Sequence, residues 1–265
     1  MKLFDTHTHF DVPEFDHDRE KIAYEAKQKG IEGLILIGFL QSRFDDLLRV
    51  HQQINSLKNA PQSYLAPGLH PLYIEQHTSQ HLKDLELFLQ QNECIAIGEI
   101  GLDTFLKEHK QPHIFERQVH FFEAQLELAK THQKPVLLHI RKAHAQALHI
   151  LKKHEGGGIA HAFSGGVQEA KAFVNLGFKL GVTGQITNPN AKKLHDAVQA
   201  VGISHLVIET DCPDMTPLCC SERRNTPANL PYVLQALSHL FNLPEQTLAT
   251  QLWENTQHAL HLRTP

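Results

Sequence analysis

Leu3-Phe4-Asp5-Thr6-His7-Thr8-His9 decides how the rest of this chain is read. A short apolar run passes directly into two imidazoles set two positions apart. Side chains alternate along a strand, so His7 and His9 share a face and can reach one ion. The meaning of the pair depends on whether the run, residues 3–6, is the first of a series. Seven more runs follow at 33–37, 64–68, 94–98, 135–139, 158–161, 178–182 and 205–210. They recur at roughly 30-residue spacing, the length of one strand–helix unit. All are short, often β-branched, and lack clean polar alternation, as strands buried on both faces do.

The intervening segments have helical period. Phe115, Val119, Phe122, Leu126 and Ala129 step by four and three residues. Helices are also predicted at about 19–29, 44–56, 82–91, 143–154, 168–176 and 191–200, with two more at 227–241 and 245–252. Gly156-Gly157-Gly158 stops a helix before the sixth strand. Eight strand–helix alternations with right-handed crossovers predict an α/β fold, a single (β/α)₈ TIM barrel spanning residues 1–265.

Bulk properties narrow the function. The net charge is −4 and the isoelectric point is near 6.6. A broad basic footprint for nucleic acid sits higher, above about 9. Contact with nucleic acid would therefore fall to local groups or metal ions. No stretch approaches the roughly 20 apolar residues of a membrane span. Met1-Lys2-Leu3-Phe4-Asp5 turns polar at once and offers no secretory core, so the expected location is cytoplasmic, with a monomer favoured. Cys94, Cys212, Cys219 and Cys220 form no paired Cys-x-x-Cys pattern and read as reduced thiols. There are 21 histidines, so abundance proves nothing. His77, His81, His149, His154 and His258 lie in polar helical contexts and read as solvated bystanders.

Active sites of such barrels lie at the C-terminal ends of the strands. The residues ending the runs are His7 and His9, His70, Glu99, His139, His161 and Asp211. Imidazole binds Zn, Mn, Fe or Ni, and carboxylates also tolerate Mg. Glu99 has two oxygens and comes from a strand between the two groups of histidines, so it can bridge. His139 and His161 would complete a second site. Two divalent cations about 3.5–4 Å apart stabilise both the attacking and leaving oxygens of an ester cleavage. A lone strand-end acid is often a helix cap, and a lone histidine is often structural. Ligand-type residues at the mouths of several strands are hard to obtain as independent accidents.

Around this set, His70 and Arg141 are candidate substrate contacts, since a guanidinium matches phosphate oxygens in a fork. Asp211 is placed to take a proton from the attacking water and return it to the leaving oxygen. Glu209 shares a face with Asp211 and lies deeper, where it can orient a ligand, move protons or sit in an internal ion pair. Asp103 lies on a loop near the site. Arg223, Arg224 and Asn225 form a polar cluster after the last strand. The residues alone assign no role to these four.

The chain resembles the TatD family of metal-dependent hydrolases, within the amidohydrolase-like barrels. The resemblance is carried by Asp5-Thr6-His7-Thr8-His9-Phe10-Asp11, Gly68-Leu69-His70-Pro71 and Ile97-Gly98-Glu99-Ile100-Gly101-Leu102-Asp103. It continues through Pro135-Val136-Leu137-Leu138-His139-Ile140-Arg141, His161-Ala162-Phe163-Ser164-Gly165-Gly166, Glu209-Thr210-Asp211-Cys212-Pro213 and Arg224-Asn225-Thr226-Pro227. Cys212-Pro213-Asp214-Met215 is similar to the YjjV-like branch. The resemblance implies His7, His9, Glu99 and Asp211 around one ion, and Glu99, His139 and His161 around another. It also implies deoxyribonuclease activity, often 3′→5′ exonucleolytic, on DNA and possibly RNA. Family members often carry an aromatic residue directly after the Asp of Glu-Ile-Gly-Leu-Asp, whereas this chain has Thr104 and then Phe105. Two other readings stay open from the residues themselves. One is an amidohydrolase cutting a C–N or carboxylic ester bond of a small molecule, and the other is a non-enzymatic metal-binding protein.

Overall fold

A computed structural model describes residues 1–262. Eight strands alternate with helices: β1 (Leu3–Thr8), α1 (Arg19–Gln28), β2 (Ile31–Ile37), α2 (Phe44–Ser56), β3 (Gln62–Ala66), α3 (Ser79–Gln91), β4 (Ile97–Asp103), α4 (Pro112–Thr131) and β5 (Val136–Arg141). The order continues with α5 (His144–Leu151), β6 (Gly158–Ala160), α6 (Val167–Asn175), β7 (Phe178–Val182), α7 (Lys192–Val201), β8 (Leu206–Ile208), α8 (Leu230–Phe241) and α9 (Glu245–Ala259). No helix among the described residues is long and apolar enough to cross a membrane.

The strands pair in parallel in two ladders, β1-β2-β3 and β4-β5-β6-β7-β8. Backbone hydrogen bonds join the ladders at both seams. Leu65 C=O accepts the Ile95 N–H at 2.8 Å, and Pro67 C=O accepts the Gly98 N–H at 3.0 Å. At the other seam, His7 C=O accepts the Asp211 N–H and Cys212 C=O accepts the His9 N–H, both at 2.9 Å. The second seam therefore sets His7, His9 and Asp211 on adjoining backbones.

The barrel interior holds Phe4, Ile35, Ile37, Ala66, Leu137, Ile159 and Val207, with Trp253 of α9 below. Phe4 stacks on Tyr64 at 5.5 Å and meets Trp253 edge-on at 6.0 Å. A second cluster, including Leu34, Leu36, Phe122, Leu138, Phe173 and Phe178, fills the space between strands and helices. This filled interior makes the barrel a packed floor for the residues at its mouth.

Strict alternation alone would not deliver the site. Phe4 faces the interior, so a regular β1 would turn His7 outward. The pairing of β1 with β2 runs Asp5 to Leu34 and then Thr8 to Leu36, which inserts one extra residue on β1. The pairing of β4 with β5 runs Ile97 to Val136 and then Ile100 to Leu138, again with one extra residue. Such bulges re-aim a side chain, and here they fall at His7 and Glu99. Strand four was expected at 94–98 with Glu99 just beyond it. It instead spans Ile97–Asp103, because Leu102 and Asp103 still pair with Ile140 and Arg141. Helix α9 runs on to Ala259, past the expected 252, because Asn255, Thr256 and Ala259 are buried. His77 is fully buried rather than solvated, with Nε2 2.9 Å from the His70 carbonyl oxygen.

Candidate metal centre

The two oxygens of Glu99 face two different sets of imidazoles. Oε2 lies 3.2 Å from His7 Nε2 and 3.6 Å from His9 Nε2. Oε1 lies 2.6 Å from His139 Nδ1, 3.3 Å from His70 Nε2 and 3.7 Å from His161 Nε2. Asp211 is also divided, with Oδ1 3.7 Å from both His7 and His9 Nε2 and Oδ2 3.6 Å from His161 Nε2. Among the described residues, three groups gather donor atoms within 4.8 Å of one another and could hold an ion: His7, His9 and Asp211; His7, His161 and Glu209; His70, Glu99 and His139.

The donor set fits a divalent cation. His7 is 1% exposed, yet neither of its ring nitrogens makes a hydrogen bond, nor does His9 Nδ1. Buried polar atoms without partners are rare and costly. Imidazole nitrogens mixed with carboxylate oxygens suit transition-metal divalent ions.

Hydrogen bonding sorts the nitrogens further. Nδ1 of His70 accepts the Leu72 N–H at 2.9 Å, which leaves the hydrogen of the neutral ring on Nε2. Burial pushes His70 down to about 4, so the neutral form holds and Nε2 is a donor rather than a lone pair. His139 Nε2 lies 3.0 Å from Asp103 Oδ2, which frees Nδ1 toward Glu99. His161 Nδ1 faces Glu209 Oε1 at the ion-pair distance of 2.9 Å, and its Nε2 faces Glu99 and Asp211.

Charge and burial compete at every group. Burial raises Glu99, but the four imidazoles around it outweigh this and hold it well below the usual carboxylate range. At Asp211 burial prevails over His161 and His9, and the group rises to about 6. Burial and the neighbouring His161 lower His7 to about 3. Burial opposes charge on His139 and His161, but their carboxylate neighbours lift them to about 9 and about 10. Ligation would require both to shed that proton.

Residues 4–261 match the model of the TatD related DNase family. The chain belongs to this family. It is 36% identical over 259 residues to the uncharacterized metal-dependent hydrolase YjjV of Escherichia coli K12, covering 96% of each protein. It is 31% identical over 273 residues to the 3′-5′ ssDNA/RNA exonuclease TatD of Erwinia billingiae, covering 98% of this chain and 99% of that one. The crystal structure of the Escherichia coli YjjV, a TatD homolog, superposes with a TM-score of 0.88 at 34% identity, covering 98% of each chain. Membership supports the metal-dependent hydrolase reading over the C–N-cleaving alternative.

In this TatD-family chain a layer of polar residues holds the candidate ligands from behind. Glu209 Oε1 accepts the Ala162 N–H at 2.6 Å, and Thr6 Oγ1 donates to Oε2 at 3.2 Å. A Cβ on Gly181 would lie 2.4–2.5 Å from the Glu209 carboxylate, so β7 must be bare there. Asp103 Oδ1 accepts the Phe105 N–H at 2.7 Å. Asp5 accepts the Thr210 N–H at 2.9 Å and its hydroxyl at 2.6 Å, which anchors the residue before Asp211. Asn225 Nδ2 donates to the Thr210 carbonyl at 2.8 Å.

The cluster 223–225 does not converge on the site. Asn225 turns inward, while Arg224 turns away to pair with Asp18. Arg223 is involved only through its carbonyl, which accepts the Thr216 hydroxyl at 2.7 Å.

Two residues of the sequence analysis went unnoticed. Gln118 of α4 accepts the Asp103 N–H and donates to its C=O, both at 2.9 Å. Gln125 does the same for Leu69, next to His70, at 2.7 and 3.2 Å. Their signal is a spacing of seven, two turns of helix, each one place before an apolar stripe residue.

Proposed function

We propose that this chain is a dinuclear, divalent-metal-dependent phosphodiesterase acting on single-stranded nucleic acid, working in the cytoplasm as a monomer whose residues 1–265 form one domain. The two-faced Glu99 carries the dinuclear reading, since each oxygen has its own imidazoles. His7, His9, Glu99 and Asp211 would hold one ion, and Glu99, His139 and His161 would hold the other. Zn, Mn, Fe, Ni or Mg suits this mixture, and bound ions supply Lewis acidity and acidify a coordinated water toward a pKa of about 7. Asp211, whose two oxygens face His7, His9 and His161, would take the proton of the attacking water and return it to the leaving oxygen. Glu209 keeps His161 in the tautomer whose Nε2 lone pair faces the site. His70 presents its Nε2 hydrogen to a phosphate oxygen, and Arg141, on the wall of the same cavity of about 650 Å³, offers its fork to phosphate. The relatives named 3′-5′ ssDNA/RNA exonuclease support the substrate class.

The test combines elemental analysis with turnover. The expected result is about two ions per chain and cleavage of single-stranded oligonucleotides but not of cyclic amides. Asp211→Asn is expected to lower kcat by about 10²–10⁴ on the same oligonucleotides. Full metal content with unchanged turnover in that variant would remove Asp211 as the proton carrier.

A further inference from the structure

Arg141, on the cavity wall, and Lys142, next to it in sequence, both lie against the Phe105 ring. The Arg141 guanidinium carbon lies 3.6 Å from the centroid of the Phe105 ring, and Lys142 Nζ lies 4.8 Å from it. Neither cation has a carboxylate partner within ion-pair distance among the described residues. Phe105 itself is 44% exposed, a large aromatic side chain left at the surface. Elsewhere on the chain, Arg19, Arg43, Arg49 and Arg224 all pair with an aspartate. Of the guanidiniums set against a ring, Arg43 and Arg224 pair with aspartates and Arg117 donates to the Ile74 and His77 carbonyls, whereas Arg141 has no hydrogen-bond or ion-pair partner for its fork among the described residues.

This rim is fixed to the floor of the site. The Phe105 N–H donates to Asp103, whose other oxygen meets His139. The Thr104 N–H donates to the Arg141 carbonyl at 3.0 Å, and its hydroxyl donates to the Lys142 carbonyl at 2.8 Å. These bonds continue the β4–β5 pairing one step beyond Asp103 and Arg141 and tie the loop that carries Phe105 to the end of β5. Arg141 shares the cavity wall with His139 and Asp103, so a chain leaving the centre on this side passes over it.

We propose that Phe105, Arg141 and Lys142 form a subsite for the nucleotide next to the scissile phosphate of a single strand. The inference rests on the nuclease reading above and adds a second binding position to it. A guanidinium held flat on an aromatic ring offers both a plane for a base and a fork for a phosphate. Stacking of this kind accepts any base, and a nearby lysine adds charge without sequence preference.

The test compares substrates that reach the rim with one that does not. On metal-loaded enzyme, kcat/KM is measured for a single-stranded oligonucleotide and for the p-nitrophenyl ester of thymidine 5′-phosphate. Binding of a phosphorothioate oligonucleotide is followed by fluorescence anisotropy. Phe105→Ala is expected to weaken oligonucleotide binding by about tenfold and lower the oligonucleotide-to-ester ratio similarly, with Phe105→Trp restoring both. Lys142→Gln is expected to reduce the salt dependence of binding by about one counterion. An equal fall on both substrates with unchanged binding, or no change at all, overturns the subsite and leaves the nuclease reading standing. Phe105-dependent binding without cleavage of either substrate keeps the subsite and overturns the nuclease reading. No binding of the oligonucleotide by wild type overturns the subsite. The exposure of Phe105 keeps the fold out of the comparison, and an unchanged melting midpoint checks this.

Discussion

Two carboxylate–histidine pairs stand behind the candidate centre, and they are built differently. Glu209 reaches His161 from inside the barrel wall, where it is fully buried, takes the Ala162 N–H and fits only over the bare Gly181. Asp103 reaches His139 from the last residue of β4, where a helix side chain and the Phe105 N–H hold it. The first pair addresses Nδ1 and leaves Nε2 for the site; the second addresses Nε2 and leaves Nδ1. One principle, a carboxylate setting the tautomer of a candidate ligand, thus appears once inside the barrel wall and once at the C-terminal end of β4, with both carboxylates buried. Position in the fold, more than chemistry, should set how much each pair matters.

The largest effect is expected at the core pair. Glu209→Gln removes a fully buried charge that faces His161 at 2.9 Å. Partners of metal-ligating histidines typically cost 10–100-fold in metal affinity or activity when replaced. Glu209→Gln is expected near the top of that range, about 100-fold, read as metal affinity by titration calorimetry and as kcat on an oligonucleotide. A change under about threefold in both would mean that His161 keeps its tautomer without Glu209.

The rim pair should give less. Asp103→Asn keeps its one oxygen for the Phe105 N–H and leaves an amide NH₂ facing His139 Nε2, at the C-terminal end of β4 rather than inside the barrel wall. The expected loss is about tenfold in affinity for the more weakly held ion, with the melting midpoint little changed. If Asp103→Asn equals or exceeds Glu209→Gln, depth does not rank the pairs and the contrast between core and rim fails.

The same contrast separates what the sequence could reveal from what it could not. Glu209 was legible as a residue deeper on the Asp211 face, because two positions along a strand return to one side. The barrel was legible because each strand is apolar on both faces and each helix keeps its own period. His139, His161 and Asp211 were legible by position at the ends of those runs. Two things were hidden. The inward turn of His7 and Glu99 depends on bulges, which are properties of pairing between strands and leave no mark in either strand alone. The partner of Asp103 depends on a helix that begins nine residues later and packs back against β4. His77 was misread for a similar reason, since the backbone it caps, at His70, is close only after folding.

Gln118 gives the smallest and most specific way to sharpen the comparison. It is buried, and its amide answers both backbone groups of Asp103, as a neighbouring strand would. Gln125, two helical turns on, answers both groups of Leu69 beside His70. Helix α4 thereby sets the height of two site loops at once. Gln118→Leu keeps the volume and removes both hydrogen bonds, leaving a buried N–H and C=O without partners. The cost should be about 1–3 kcal/mol of stability, read by denaturant unfolding. Its effect on metal affinity should be smaller than that of Asp103→Asn, because the Asp103 carboxylate is still present and still bound by the Phe105 N–H. Among the described residues Glu209 is bonded by Thr6, Ala162 and His161 and by no helix side chain, so the same unfolding experiment in a Glu209→Gln background should show additive losses. Strong coupling between Gln118 and Glu209 would instead mean that the two pairs share one support, and the division into core and rim would have to be redrawn.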